Sequence, residues 1–355
     1  MKNKGPHKIL ARVWAVVFVI VLLIAVILLF LMNTARTPAS NMSFVEDEGR
    51  LVTGMLPPPA PAPGGPRIGT MTVFDAGKKV LTYMYRDQLP AGADPRYVRS
   101  SYIHPLFSLE GAELTDDFPR DHPHHHGIFW TWPSVRVRGV ATQTWHPAEP
   151  SLRQHFVKWI KREVTDAGAR LVVENTWKLG EAEDVAEETV SLFVHGASRF
   201  GRAIDVELVL RPVGGPIELR GAAEDDKGYG GLTFRGRGGR RGVRLFEGAA
   251  MTTDEGPLAS DSTGKPFRWA DLSTPSDGGV AVFVSPDHPG YPLDWLVRNS
   301  YAGVINPCWP GLAGATVPSD TPVTLRYRIY VHRGDAAAGR VKEAFEAYLA
   351  GRDDF

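Results

Sequence analysis

Hydrophobic and polar positions divide the chain into two unlike parts. From Val13 to Met32 the run VWAVVFVIVLLIAVILLFLM carries no charged side chain. Its length and uniformity predict a membrane-spanning helix rather than a buried soluble one. From Ile68 onward the apolar positions recur every second residue in short runs. IGTMTVFDAGKKVLTYMY reads as two strands around Asp75-Ala76-Gly77, and HFVKWIKREVTDAGARLVVENTWKL repeats the pattern around Asp166-Ala167-Gly168. Further on, Ile204, Val206, Leu208 and Leu210 alternate with Asp205, Glu207 and Arg211. The run from Val323 to His332 alternates over ten residues, which predicts a strand with one buried and one wet face. Helical spacing appears only from Ala336 to Leu349, with Val341, Ala344, Phe345 and Tyr348 on one face. Many antiparallel strands with one terminal helix predict an all-β fold, a large β-sandwich or supersandwich.

Charge gives the apolar segment a direction. Lys2, Lys4, Lys8 and Arg12 precede it, whereas Glu46, Asp47 and Glu48 follow. The positive-inside rule therefore predicts a cytoplasmic N-terminus (1–12), a membrane span (13–32), a short tether (33–43) and an extracytoplasmic β domain (44–355). A strand is expected near Leu51. The run PPPAPAPGGP, Pro57 to Pro66, reads as a loop insertion. No A-x-A pattern directly follows the apolar segment, which favours an uncleaved anchor over a signal peptide. Apolar residues make up 43% and charged residues 23% of the chain, as in a protein with a packed core. Formal charge is zero, so nothing electrostatic points to nucleic acid. The single cysteine, Cys308, excludes internal disulfides and thiolate-rich zinc sites.

The densest chemistry lies in DHPHHHGIFWTW, Asp121 to Trp132, where His122, His124, His125 and His126 crowd together. If this segment is extended, His122, His124 and His126 share one face and His125 takes the other. Gly127 then permits a sharp turn or a close backbone approach. Any one of these histidines is best read as a loop residue bonding to backbone. Together they suggest a site, because acid–base work and metal ligation both need several converging groups. His104 stands in a strand-like run upstream, with Asp116, Asp117 and Asp121 between it and the cluster. A hairpin would bring His104 beside His122 and His124, a set suited to one divalent transition metal such as zinc, copper or iron.

A second dense stretch, AAEDDKGYGGLTFRGRGG, offers Lys227, Tyr229 and Arg235 beside glycines, while Glu224 and Asp225 read as a solvated turn. Downstream, His288 and Trp295 lie in SPDHPGYPLDWLVRNS and Asn306 in YAGVINPCW. Trp295 suits either sugar stacking or the core, and Asn306 either a cleft or a turn cap. No G-x-S-x-G, H-E-x-x-H or C-x-x-C motif is present, which disfavours serine hydrolase, zincin and thiol-redox chemistry.

YIHPLFSLEGAELTDDFPRDHPHHHGIFWTW, DDKGYGGLTFR, DHPGYPLDWLVRNSYAGVINP and LRYRIYVHRG resemble, in order, a bacterial family labelled methane oxygenase PmoA-like, over roughly Leu51 to Tyr348. The resemblance implies a secreted or anchored β-sandwich from bacteria that degrade complex polysaccharides. The layout is also similar to galactose-mutarotase-like supersandwiches, in which histidines and a carboxylate act on a sugar ring.

The leading expectation is a membrane-anchored extracytoplasmic protein that binds, and acts on, a carbohydrate-like ligand or glycan. In that reading His122, His124, His125, Lys227 and Tyr229 carry the chemistry. His104, His126, Trp130, Arg235, His288, Trp295 and Asn306 contact substrate, and Trp130 or Trp295 stacks on a ring. Two rivals use the same residues: a copper or iron oxidative centre, and a non-catalytic glycan-binding module of the envelope.

Overall fold

Antiparallel pairing runs through the whole computed structural model. The structure describes residues 41–47, 69–180, 182–237, 246, 248–274, 276–300 and 303–352. All of them belong to one compact unit, Ser40–Phe355. The apolar run Val13–Met32, the strand expected near Leu51 and the proline-rich run Pro57–Pro66 lie outside the described residues. No helix among the described residues is long and apolar enough to cross a membrane.

A nine-stranded sheet has the order Met42–Asp47, Thr70–Asp75, Lys78–Met84, Tyr102–Leu106, Ile128–Thr131, Gly231–Arg235, Val304–Cys308, Leu293–Arg298 and Ser262–Phe267. A second nine-stranded sheet has the order Gly256–Leu258, Ala250–Thr253, Trp269–Thr274, Gly278–Val284, Val323–His332, Gly201–Pro212, Glu183–His195, Gly168–Leu179 and Leu152–Thr165. A four-stranded sheet is built from Ala315–Val317, Ile217–Arg220, Ser134–Val137 and Val140–Thr142. Side chains from all three sheets form one continuous apolar cluster. In strand Gly201–Pro212 the residues Ile204, Val206, Leu208 and Leu210 are buried in that cluster, each contributing about 1.5–3 kcal/mol by leaving water. The hairpin at Asp75-Ala76-Gly77 turns through two positive-φ residues, Ala76 at 49° and Gly77 at 77°. Such a turn matches the twist of the strands it joins.

Two expectations are corrected by packing. Strand Val323–His332 is not wet on its second face, because Arg328, Tyr330 and His332 are buried there. The C-terminal helix covers that face, packing Val341, Ala344 and Phe345 against Trp269, Phe283 and Tyr330. The helix itself is Val341–Leu349, shorter than the stretch beginning at Ala336. Arg340, at φ 53°, stands at its N-cap in a left-handed conformation that no helix interior accommodates.

The core also holds a buried charge. Glu188 accepts hydrogen bonds from the Ser101 hydroxyl (3.0 Å), the Asn175 amide (3.0 Å) and the indoles of Trp130 (3.1 Å) and Trp177 (2.9 Å). Four donors on one carboxylate offset much of the cost of removing it from water.

Candidate functional site

The histidine-rich segment is a pair of tight turns, not a strand. The His122 amide donates to the Pro119 carbonyl (3.0 Å), the His125 amide to the His122 carbonyl (2.8 Å) and the Phe118 amide to the His125 carbonyl (3.1 Å). The alternation expected of an extended segment is thereby lost. His122, His124 and His125 line one cavity. His126 turns inward, its Nδ1 2.7 Å from Asp117 Oδ1 and its ring packed against Tyr102 and Phe118. Gly127 closes the segment where the chain passes the Ile103 carbonyl so closely that a Cβ would collide with it. That is the close approach its composition implied.

The cavity has a volume of about 430 Å³. One side is the imidazole group, with ring centroids 5.4 Å apart for His122 and His124, 4.8 Å for His122 and His125, and 4.5 Å for His124 and His125. His146 joins it, 3.9 Å from the His124 ring. Trp145 and Tyr229 form an aromatic wall, their rings 4.6 Å apart. The floor comes from neighbouring strands, where Leu296 pairs with Asn306 and Arg298 with Val304. Glu224 and Lys227 stand at the rim, joined at 3.0 Å, and Lys227 also reaches Asp225 at 2.9 Å. A smaller hollow of about 250 Å³ shares Trp145, His146 and His124 with the cavity and reaches His126, Gln143 and Arg99.

Local bonds explain these positions. Thr144 takes the Trp132 amide on its hydroxyl (2.8 Å) and the Arg99 guanidinium on its carbonyl (2.9 Å), which fixes the residues that follow, Trp145 and His146. The turn bearing Lys227 and Tyr229 closes on Ala222, whose carbonyl accepts from Gly228 (2.8 Å) and whose amide donates to Tyr229 (2.9 Å). Asn306 is fully buried. Its amide donates to Leu232 and Thr233, and its oxygen accepts from Gly230. Asn306 therefore pins the floor rather than offering its amide to a ligand.

Burial favours the neutral form of four of these imidazoles, His124, His125, His126 and His146. Burial, with His146 and His122 beside it, pushes His124 down to about 3. Burial also takes His125 and His126 well below the ordinary histidine range, His125 further depressed by His124 and Arg235. His146 is lowered by burial too, with the Glu224 charge pulling the other way. Burial raises the Tyr229 hydroxyl, so that it stays protonated. Hydrogen bonds donated to Asp225 and Glu224 keep Lys227 charged, which makes it a poor proton acceptor. Arg235 is buried behind the cavity. Its Nη1 donates to His125 Nδ1 at 3.2 Å and its Nη2 lies 3.5 Å from Asp121. A guanidinium cannot accept, so neutral His125 must carry its proton on Nε2.

Of the residues expected at the site, His122, His124, His125, Lys227, Tyr229 and Asn306 share the cavity. The others stand elsewhere. His104 lies behind the cluster, bonded to Thr115 at 3.0 Å and influenced by Asp117 rather than by His122 or His124. The expected ligand set of His104, His122 and His124 is thus divided. Among the described residues no three His, Cys, Asp or Glu side chains are arranged to hold a metal ion, so the expected set does not fit a metal. Trp130 and Trp295 are core residues, the first bonded to Glu188 and the second to the Phe267 carbonyl at 2.7 Å. His288 is buried between the Tyr327 hydroxyl and the Pro289 carbonyl, both at 2.8 Å. Trp145 and His146 line the cavity although sequence patterning did not select them; Glu224, read as part of a solvated turn, and Arg298, from the stretch that also offered His288 and Trp295, line it too. For Trp145 and His146 the cue was chemical, an aromatic beside a histidine.

A family model described as a family of unknown function (DUF6807) matches residues 70–346. No curated protein matches the chain.

Proposed function

As this chain belongs to DUF6807, a family that brings no activity with it, we propose from the site alone that the cavity binds a carbohydrate and transfers protons on it. One observation carries this reading. Neutral imidazoles of His124 and His125 and the Trp145–Tyr229 ring pair line the same hollow of about 430 Å³. Uncharged donors and acceptors suit hydroxyl groups, and the Trp145–Tyr229 pair gives a sugar ring an apolar face to lie on.

His146 is the acid–base group. A histidine near pKa 3, such as His124, is too weak a base to work well at neutral pH. His146 is less buried, and Glu224 opposes its depression. It takes a proton from a ring hydroxyl or an acidic ring carbon. The Tyr229 hydroxyl, which makes no hydrogen bond with any described residue, donates to the oxygen where charge develops. His125, its tautomer set by Arg235, offers Nε2–H as a second donor. An epimerase, lyase or hydrolase acting on sugars would use such a set. This reading accords with the resemblance to PmoA-like sequences and to mutarotase-like supersandwiches. The charge asymmetry around Val13–Met32 supports anchoring with the β domain outside the cell.

The test is turnover and binding across a panel of glycans. His146→Ala is expected to lower kcat by about 10²–10⁴-fold while far-ultraviolet circular dichroism stays unchanged. Full turnover in a His124→Ala/His146→Ala double variant would sink the catalytic reading. Binding without product in the wild type would leave a glycan-binding module.

A further inference from the structure

The Arg298 side chain differs from the other described charged groups that line the cavity. Lys227 is held by two carboxylates, Glu224 and Asp225. Asp121 faces the buried Arg235 at 3.5 Å. Arg298 lines the same cavity, partly buried, and makes no hydrogen bond or ion pair with any described residue. Its backbone place is fixed, because Arg298 pairs with Val304 next to the pair Leu296–Asn306, and Asn306 is locked to Leu232 and Thr233. A guanidinium on a paired strand, open to a hollow and without an ion-pair partner among the described residues, is a preorganised fork for an oxyanion. Close by lies the Tyr229 ring, whose hydroxyl is influenced by the Arg298 charge.

We propose that the ligand of this cavity is an acidic carbohydrate, whose oxyanion pairs with Arg298 while its ring lies against Trp145 and Tyr229. The inference rests on the carbohydrate reading above and narrows it to sugars bearing a carboxylate or a sulfate ester. Neutral histidines suit such a ligand, since with Lys227 already paired to Glu224 and Asp225 they leave the anion to Arg298 and so fix the direction in which the sugar enters. Arg298 is then a specificity residue, which selects the substrate without taking part in proton transfer.

The test uses the full chain in detergent, titrated calorimetrically with uronate-containing oligosaccharides, their C6-reduced neutral counterparts and 6-O-sulfated counterparts. The wild type is expected to bind an acidic form about 10- to 100-fold more tightly than its neutral counterpart. The uronate and sulfate arms identify which oxyanion is used. Arg298→Gln should abolish the preference with little change in neutral-sugar affinity, and Arg298→Lys should restore part of it. If wild type binds neutral and acidic forms equally, and Trp145→Ala weakens both, the acidic-ligand inference falls and the carbohydrate reading stands. If folded wild type binds no member of the panel, both fall. The comparison within wild type holds even if a variant misfolds.

Discussion

The buried guanidinium of Arg235 donates to His125 Nδ1 at 3.2 Å and so decides which nitrogen of that ring carries the proton. A side chain outside the cavity thereby sets the hydrogen-bonding character of one inside it. Arg235→Met should cost about 2–4 kcal/mol of stability, since it removes a buried guanidinium that donates to His125 and lies 3.5 Å from Asp121. Urea denaturation measures the loss. Nitrogen-15 shifts of the His125 ring should show the Nε2–H form in wild type and a mixture in the variant. An Nδ1–H ring in wild type would rule the arrangement out.

Glu188 offers a harsher test of the core. Glu188→Ala strands the donors of Ser101, Asn175, Trp130 and Trp177. The expected loss is about 3–5 kcal/mol, read as a lower denaturant midpoint. A near-neutral change would mean that these donors find other partners.

Acid should weaken the fold. His104, His124, His125, His126 and His288 all have folded pKa values below the ordinary value of 6.5. Between 6.5 and each folded value, the unfolded chain binds a proton that the native chain refuses. The contribution of these histidines is therefore full above about pH 6.5 and falls as pH drops, by up to about 1.4 kcal/mol per pH unit for each. Asp117 works in the opposite sense. Burial raises it to about 7, so the native state holds its proton between 7 and its ordinary value of 3.8. One carboxyl against several imidazoles leaves acid destabilising overall. His124→Gln should flatten the slope of unfolding free energy between pH 6.5 and 4, and an unchanged slope would contradict the depressed value.

The two tryptophans expected to stack should behave differently from the one that lines the cavity. Trp295→Phe removes the bond to the Phe267 carbonyl and should lower stability by about 1–3 kcal/mol while sparing glycan affinity. Trp145→Ala should weaken glycan binding about tenfold or more. If affinity follows Trp295 instead, the cavity has been placed wrongly.

The β character was legible because it is written locally. Alternation at Ile204–Leu210 and the turn signals at Asp75-Ala76-Gly77 and Asp166-Ala167-Gly168 each operate within a dozen residues, and all three became strands or hairpins. The burial of Arg328 and Tyr330 was not legible, since it depends on a helix that returns from beyond the strand. The histidine cluster was found from density alone, yet its faces were misjudged, because alternation assumes a strand and Pro119 and His122 build turns. Trp130 and Trp295 resemble binding residues in isolation, and only packing assigns them to the core. Trp145 and His146 carry no periodicity, and Thr144 brings them to the cavity through contacts with Trp132 and Arg99.

The cavity draws on His122, His146, Tyr229 and Arg298, contributed by stretches far apart along the chain. No excised fragment can therefore reproduce it, and a partly folded chain has nothing to offer a ligand. Any sugar that binds here will also act as a folding reporter, raising the melting temperature with the logarithm of its concentration once that exceeds Kd, and thermal shift becomes a means of finding the ligand without knowing the reaction.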